Sequence, residues 1–138
     1  MYKILLVDDE PDVRDAYAAT LGFLLGKNNI QLEVGENVQF LRNQLLEGNY
    51  DLTFTDNNMP DGDAIDTLEE LDQHPAIRER MQGKGSKLPV LLASGLMDSI
   101  ISGRAAKLEN MAVTSLYKPT NLPDLRRVLH EYGFQLVR

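Results

Sequence analysis

The sequence predicts an α/β protein built on a parallel sheet of five strands, with helices covering both faces. Three observations carry this. Short apolar runs alternate with amphipathic stretches five times, the pattern of repeated strand–helix units. The first run, residues 3–7 (KILLV), is apolar without interruption and ends in acids, as in a strand buried on both faces. The length of 138 residues suits one domain with a real hydrophobic core.

The elements follow in order. From Pro11 the period becomes helical, with Val13, Tyr17, Leu21 and Leu24 on one face, until Gly26 and the Asn28–Asn29 pair break it. Residues 30–34 read as a second strand. Asn37 is placed to cap a helix with Val38, Leu41 and Leu45 on its apolar face and Gly48 as its stop. Residues 51–55 (DLTFT) form a third strand with Phe54 in the core, followed by a helix marked by Ile65, Leu68 and Leu71. The segment 74–88, with Gly83 and Gly85, reads as an unusually long polar connection. Residues 89–93 (PVLLA) are the fourth strand. Asp98 is placed to cap a fourth helix, which Ser102 and Gly103 weaken. Residues 112–117 are the fifth strand. The final helix has Pro123 in its first turn, Leu125, Val128, Leu129 and Tyr132 on one face, and Gly133 as terminator. The expected organisation is one domain over 1–132 and a short tail over 133–138, too short for an output module. Met1 directly before the first strand favours a natural N-terminus.

Composition narrows the function. Apolar content of 43% and charged content of 25% are those of an ordinary globular protein. No apolar run is long enough to span a membrane and no signal peptide is evident, so a cytoplasmic location is expected. A net charge of −7 disfavours direct binding to nucleic acid. With no cysteine and only two histidines, thiol chemistry, zinc thiolate sites and His-rich metal sites are excluded.

In an open parallel sheet, ligands bind beyond the carboxyl ends of the strands. Those ends carry Asp8, Asp9 and Glu10 after strand one, Asp56 to Asn58 after strand three, Ser94 and Gly95 after strand four, and Lys118 and Pro119 after strand five. A charge at one strand end is commonplace, but acids, a hydroxyl and a lysine at four of the five are not. Two carboxylates about 4 Å apart repel by about 4 kcal/mol at an effective dielectric near 20. Three require a cation or a raised pKa. Oxygen-only ligands favour a hard ion, Mg²⁺ or Mn²⁺. Lys118 and Ser94 would meet further phosphoryl oxygens, so the chemistry expected is metal-assisted phosphoryl transfer to Asp56.

The blocks ILLVDDEPDVR, DLTFTDNNMPDGDAI, PVLLASG and LYKP resemble, in order and over essentially the whole chain, the signature blocks of bacterial response-regulator receiver domains. The resemblance, to chemotaxis-regulator-like members of two-component signalling, implies a flavodoxin-like (βα)5 three-layer sandwich with strand order 2-1-3-4-5. It implies Asp56 as phosphoacceptor and Mg²⁺ held by Asp8, Asp9, Asp56 and the backbone carbonyl of Asn58. It also implies Ser94 as the switch hydroxyl, Lys118 as the matching lysine, and a cis Lys118–Pro119 bond. Asn58 and Leu96 fall at positions that tune the acyl-phosphate lifetime in the family. The expected partners are a sensor histidine kinase or histidine phosphotransfer protein and a downstream protein target. The expected role is that of a phosphoacceptor signalling protein and not an enzyme acting on a separate substrate.

Three departures qualify the resemblance. Ala64 replaces the glycine that usually follows the aspartate at position 63. Ser115 stands where members carry a switch aromatic, and strand alternation puts Tyr117 on the same face as a substitute. The 74–88 connection adds Arg78, Arg80, Lys84 and Lys87, read as a solvated insertion in preference to a partner contact. The alternative function is a receiver-like interaction protein, impaired in switching, that signals by constitutive binding. His74 and His130 lie off the carboxylate rim and are expected to have surface roles. Asp56-Asn57-Asn58 begins like an EF-hand loop, but Pro60, Asp61 and Thr67 occupy the wrong positions for one. A flavodoxin would need a phosphate-cradling loop where Asp8-Asp9-Glu10 stand, and a haloacid-dehalogenase phosphatase would need an Asp-x-Asp pair.

Overall fold

Alternation along β1 (Tyr2–Val7) sends Ile4 and Leu6 to one face of the sheet and Leu5 and Val7 to the other, all fully buried. Both faces of the strand therefore need a cover. The computed structural model describes residues 1–95 and 99–138. In it β1 pairs in parallel with β2 (Ile30–Gly35) on one side and β3 (Leu52–Asp56) on the other. Beyond β3 lie β6 (Leu88–Ser94) and β7 (Met111–Tyr117), giving the order β2-β1-β3-β6-β7. This is the expected 2-1-3-4-5 sheet, because β4 (Asn58–Met59) and β5 (Gly62–Asp63) form a separate small hairpin. The hairpin was not foreseen, and its two-residue strands carry no periodicity to read.

Two helices cover one face. They are α1 (Pro11–Leu25), through Tyr17, Leu21, Leu24 and Leu25, and α6 (Leu122–Glu131), through Leu125, Val128 and Leu129. Phe54 is in this core, its ring 4.4 Å from that of Tyr17. Helix α1 begins with Pro11 at a first-turn position and ends at Gly26, whose φ of 93° suits glycine. On the opposite face are α2 (Val38–Glu47), α3 (Ala64–Asp72), α4 (Pro75–Lys84) and α5 (Ser99–Ala106). Asn37 caps α2 as expected, accepting from the Phe40 N–H. The start of α5 adjoins Asp98, whose capping role lies outside the described residues, as does the expectation for Leu96.

Helix α4 corrects the reading of 74–88 as an open polar connection. His74 caps it by accepting the Ala76 N–H at Nδ1, Pro75 sits in the first turn, and Gly85 closes it in the left-handed conformation at φ 68°. Apart from Gly83 its residues favour a helix, but few of them are apolar and they mark no continuous buried face. Ile77 and Met81, four residues apart, supply the compensation by burying themselves in the core beneath α2 and α3. Of its cations, Arg80 donates to the Leu45 and Leu46 carbonyls at 2.8 and 3.0 Å, and Lys84 donates to Asn49.

The last residues also pack. Phe134 is buried, with its ring edge-on to Tyr2 at 4.8 Å, and the Val137 N–H donates to the Leu24 carbonyl. Among the described residues no helix is long and apolar enough to cross a membrane.

Candidate functional site

The strands deliver the expected side chains to one rim because they run parallel and in close register. Thr55 on β3 pairs with Val7, Asp56 with Ala93, and Ser94 with Tyr117, so the four carboxyl ends finish at nearly the same level. Beyond the end of β1, Asp8 is 1% exposed and fully engaged. Its Oδ1 accepts the Glu10 N–H and its Oδ2 accepts Lys118 Nζ at 3.0 Å. Its backbone N–H donates to the Gly35 carbonyl, and its own carbonyl accepts from Arg14 at 2.8 Å. Such saturation is what allows an acid to sit inside a protein.

Lys118 also lies 3.4 Å from Asp56 Oδ1. Its position is fixed locally: its backbone N–H donates to the Ser94 carbonyl at 2.7 Å, and the peptide bond to Pro119 is cis. One ammonium thus stands between two buried carboxylates. Asp56 is 6% exposed, and burial pushes its carboxyl above the usual range. Lys118 opposes that rise, while the neighbouring charges of Asp8 and Asp9 add to it. Burial alone would lower Lys118, but its bond to Asp8 and the charges of Asp56 and Asp8 raise it overall, keeping it cationic.

Asp8, Asp9 and Glu10 each offer a carboxylate oxygen within 4.8 Å of the others, a set able to coordinate a divalent cation. The donors are oxygens alone, which fits a hard ion. Glu10 was read on this rim but not among the ligands. Asp9 is half-buried and Asn58 is exposed, beside the rim. Of the switch candidates, Ser94 and Ser115 are half-buried and Tyr117 is 53% exposed. His130 is exposed, away from the acids, and His74 serves as the α4 cap.

The residue after Asp56 was not singled out, yet it organises the loop. Asn57 is fully buried. Its N–H donates to the Ala93 carbonyl, its carbonyl accepts the Ala64 N–H, and its Oδ1 accepts the Ile65 N–H at 3.0 Å. It therefore takes two first-turn donors of α3, whose own N-cap residue, Asp63, makes no side-chain cap bond. The only signal in the sequence was an amide residue near a helix start, too early in the chain for the usual cap position at Asp63.

A buried acid thus lies against a lysine beside an oxygen cluster, on the carboxyl-end rim of a parallel sheet. Comparison with known proteins gives the class. The profile of the response regulator receiver domain matches residues 4–130, and the chain belongs to that family. It is 30% identical over 128 residues to the response regulator protein PilR of Pseudomonas aeruginosa, an alignment covering 92% of this chain and 25% of that protein. The chain thus spans about a quarter of that relative's length. Among solved structures, the fold is similar to that of chemotaxis response regulator CheY4 of Vibrio cholerae. There the TM-score is 0.73 and the identity 17%, over 96% of this chain and 98% of that one. A CheY-like receiver domain protein from Methanospirillum hungatei gives a TM-score of 0.71 at 20% identity, over 95% and 92% of the two chains.

Proposed function

We propose that this domain accepts a phosphoryl group on Asp56 from a phosphohistidine of a sensor kinase or phosphotransfer protein, and thereby changes a protein-binding surface. The observation that carries this reading is the sharing of one lysine by two buried carboxylates, Asp8 and Asp56, next to a cation-competent oxygen cluster. A structural ion pair needs one acid per base. A second buried acid beside the same lysine supports reading Asp56 as the reacting group.

In the proposed reaction an Asp56 carboxylate oxygen attacks phosphorus, an O–P bond forms, and the P–N bond to the donor imidazole breaks with its electron pair returning to nitrogen. Water later attacks phosphorus, releasing inorganic phosphate and restoring the carboxylate. Asp8, Asp9, Asp56 and the Asn58 carbonyl would hold Mg²⁺ (or Mn²⁺), with Glu10 close by. When bound, the ion supplies positive charge to the phosphoryl oxygens. Lys118 offers a second positive charge to them, and the Ser94 hydroxyl a hydrogen bond. The chain's own contribution is placement. Lys118 is fixed by the Ser94 carbonyl, and Asp8 by Arg14 and Glu10.

Ser115 supports a second reading, constitutive partner binding without an aromatic switch, in which Tyr117 is a fixed part of the surface. Incubation with acetyl phosphate and Mg²⁺ followed by intact-mass measurement separates the two. The switch reading expects a phosphoryl mass gain in the wild type that is absent from Asp56→Asn.

A further inference from the structure

The loop that follows Asp56 is tied to a helix that it does not precede. The first-turn N–H groups of an α-helix have no partner within the helix. In α2, those of Val38 and Gln39 donate to the two carboxylate oxygens of Asp61, at 2.8 and 3.0 Å. Asn37 takes the third, its Oδ1 accepting from Phe40 at 2.8 Å, while its carbonyl accepts the first regular helical bond, from Leu41 at 3.2 Å. The helix start is thus shared between a local cap and one that arrives from a residue 23 positions along the chain.

Asp61 lies in the turn between the hairpin strands β4 and β5, and Asn58 begins that hairpin by pairing with Asp63. Asn57 pins the start of this loop to β6 and α3, Met59 is buried in the core, and Asp61 pins the turn to α2. Asp9, Glu36, Asn37, Pro60 and Asp61 line one hollow of about 380 Å³, so the clamp borders the acid cluster directly. The bond from Val38, with that from Gln39, holds the exposed Asp61 carboxyl below its ordinary range, so the clamp is ionised at neutral pH.

We propose that Asp61 is a positioning residue for the acceptor site: by clamping the hairpin turn to the start of α2, it holds the Asn58 backbone in place beside the Asp8–Asp9 cluster. The inference rests on the reading of the Asn58 carbonyl as a metal ligand.

The two caps of α2 provide the test. Asp61→Ala and Asn37→Ala each remove one cap from the same helix end, but only the first releases the loop. Both are expected to lower the melting temperature to a similar degree. Two readouts are then compared: amide hydrogen exchange across residues 58–63 without metal, and Mg²⁺ affinity by calorimetry. Asp61→Ala is expected to speed exchange in the hairpin and to weaken Mg²⁺ binding by about tenfold, the usual scale for removing a support behind a ligand. Asn37→Ala is expected to leave hairpin exchange as in the wild type and to change affinity by less than about twofold. Asp61→Asn, which keeps one acceptor oxygen and loses the charge, should show hairpin exchange between that of the wild type and that of Asp61→Ala. Unchanged hairpin exchange in Asp61→Ala overturns the proposal, as does an equal loss of affinity in Asn37→Ala. A wild type that binds no Mg²⁺ overturns the metal reading itself, and this inference with it.

Discussion

The two flanks of the sheet are held in different ways. On the β1–β3 side, α2 has its N-terminus bonded by Asp61 and its C-terminal carbonyls bonded by Arg80, although it has no basic residue in its own last turn. Helix α3 receives Asn57 at its start. At its end the buried Asp72 accepts the Glu109 and Asn110 N–H groups, tying α3 to the chain entering β7. On the β7 side, α5 has eight residues, with Ala105 its buried contact, and is tied to α3 through Arg104, bonded to Asp66 and Glu69. Ile100, Tyr117 and Leu122 are 70%, 53% and 37% exposed there. The difference teaches where the helix ends are secured. The helices around the loop that follows Asp56 are bonded at their ends by residues from distant parts of the chain, whereas the β7 edge presents Ile100, Tyr117 and Leu122 to solvent.

The contrast can be attacked at several points. The largest effect is expected at Met81, whose burial makes α4 part of the core. Met81→Ala should cost about 2–5 kcal/mol in urea denaturation. A cost within about 0.5 kcal/mol, normal for a surface position, would return the 74–88 segment to a solvated insertion. Next comes Arg80. Its replacement by alanine strips two carbonyls at the end of α2 of a charged partner and should cost about 1–3 kcal/mol, with Arg80→Lys recovering only part of it because lysine lacks the fork. If Arg80→Ala and wild type melt together, the bracing of α2 is decorative. The smallest effect belongs to the other flank: Tyr117→Ala should leave stability within about 0.5 kcal/mol of wild type. A larger loss would make Tyr117 a packing residue and remove the distinction between the flanks.

Much of this was legible in the sequence because it is written locally. Short apolar-rich runs alternating with helical patterns identified the five main strands, and the charged residues at their ends could be listed before any contact was known. Asn37 as the α2 cap followed from its position alone. What could not be read is long-range. Asp61 caps a helix that starts 23 residues before it, and nothing around Asp61 or Val38 announces the pairing. Arg80 looked like one cation of a basic loop, since its acceptors lie 34 and 35 residues away. Helix α4 escapes a reading by apolar periodicity because only Ile77 and Met81 are buried on it, and these two count only once a core exists to receive them. The side chains at the strand ends that meet on the rim, Asp8, Asp56 and Lys118, were legible before their contacts were known. Asn57, which shapes it from within, was not, because a buried amide is recognisable only by its partners.

The account depends on Asp56 being the group that Lys118 and the acid cluster are assembled to serve. The most direct measurement is the intact mass of the folded protein after incubation with acetyl phosphate and Mg²⁺, beside the same protein without the metal and the Asp56→Asn variant. A phosphoryl mass gain that requires both Mg²⁺ and Asp56 is the predicted result. No gain in the folded wild type, or a gain that persists in Asp56→Asn, would contradict it.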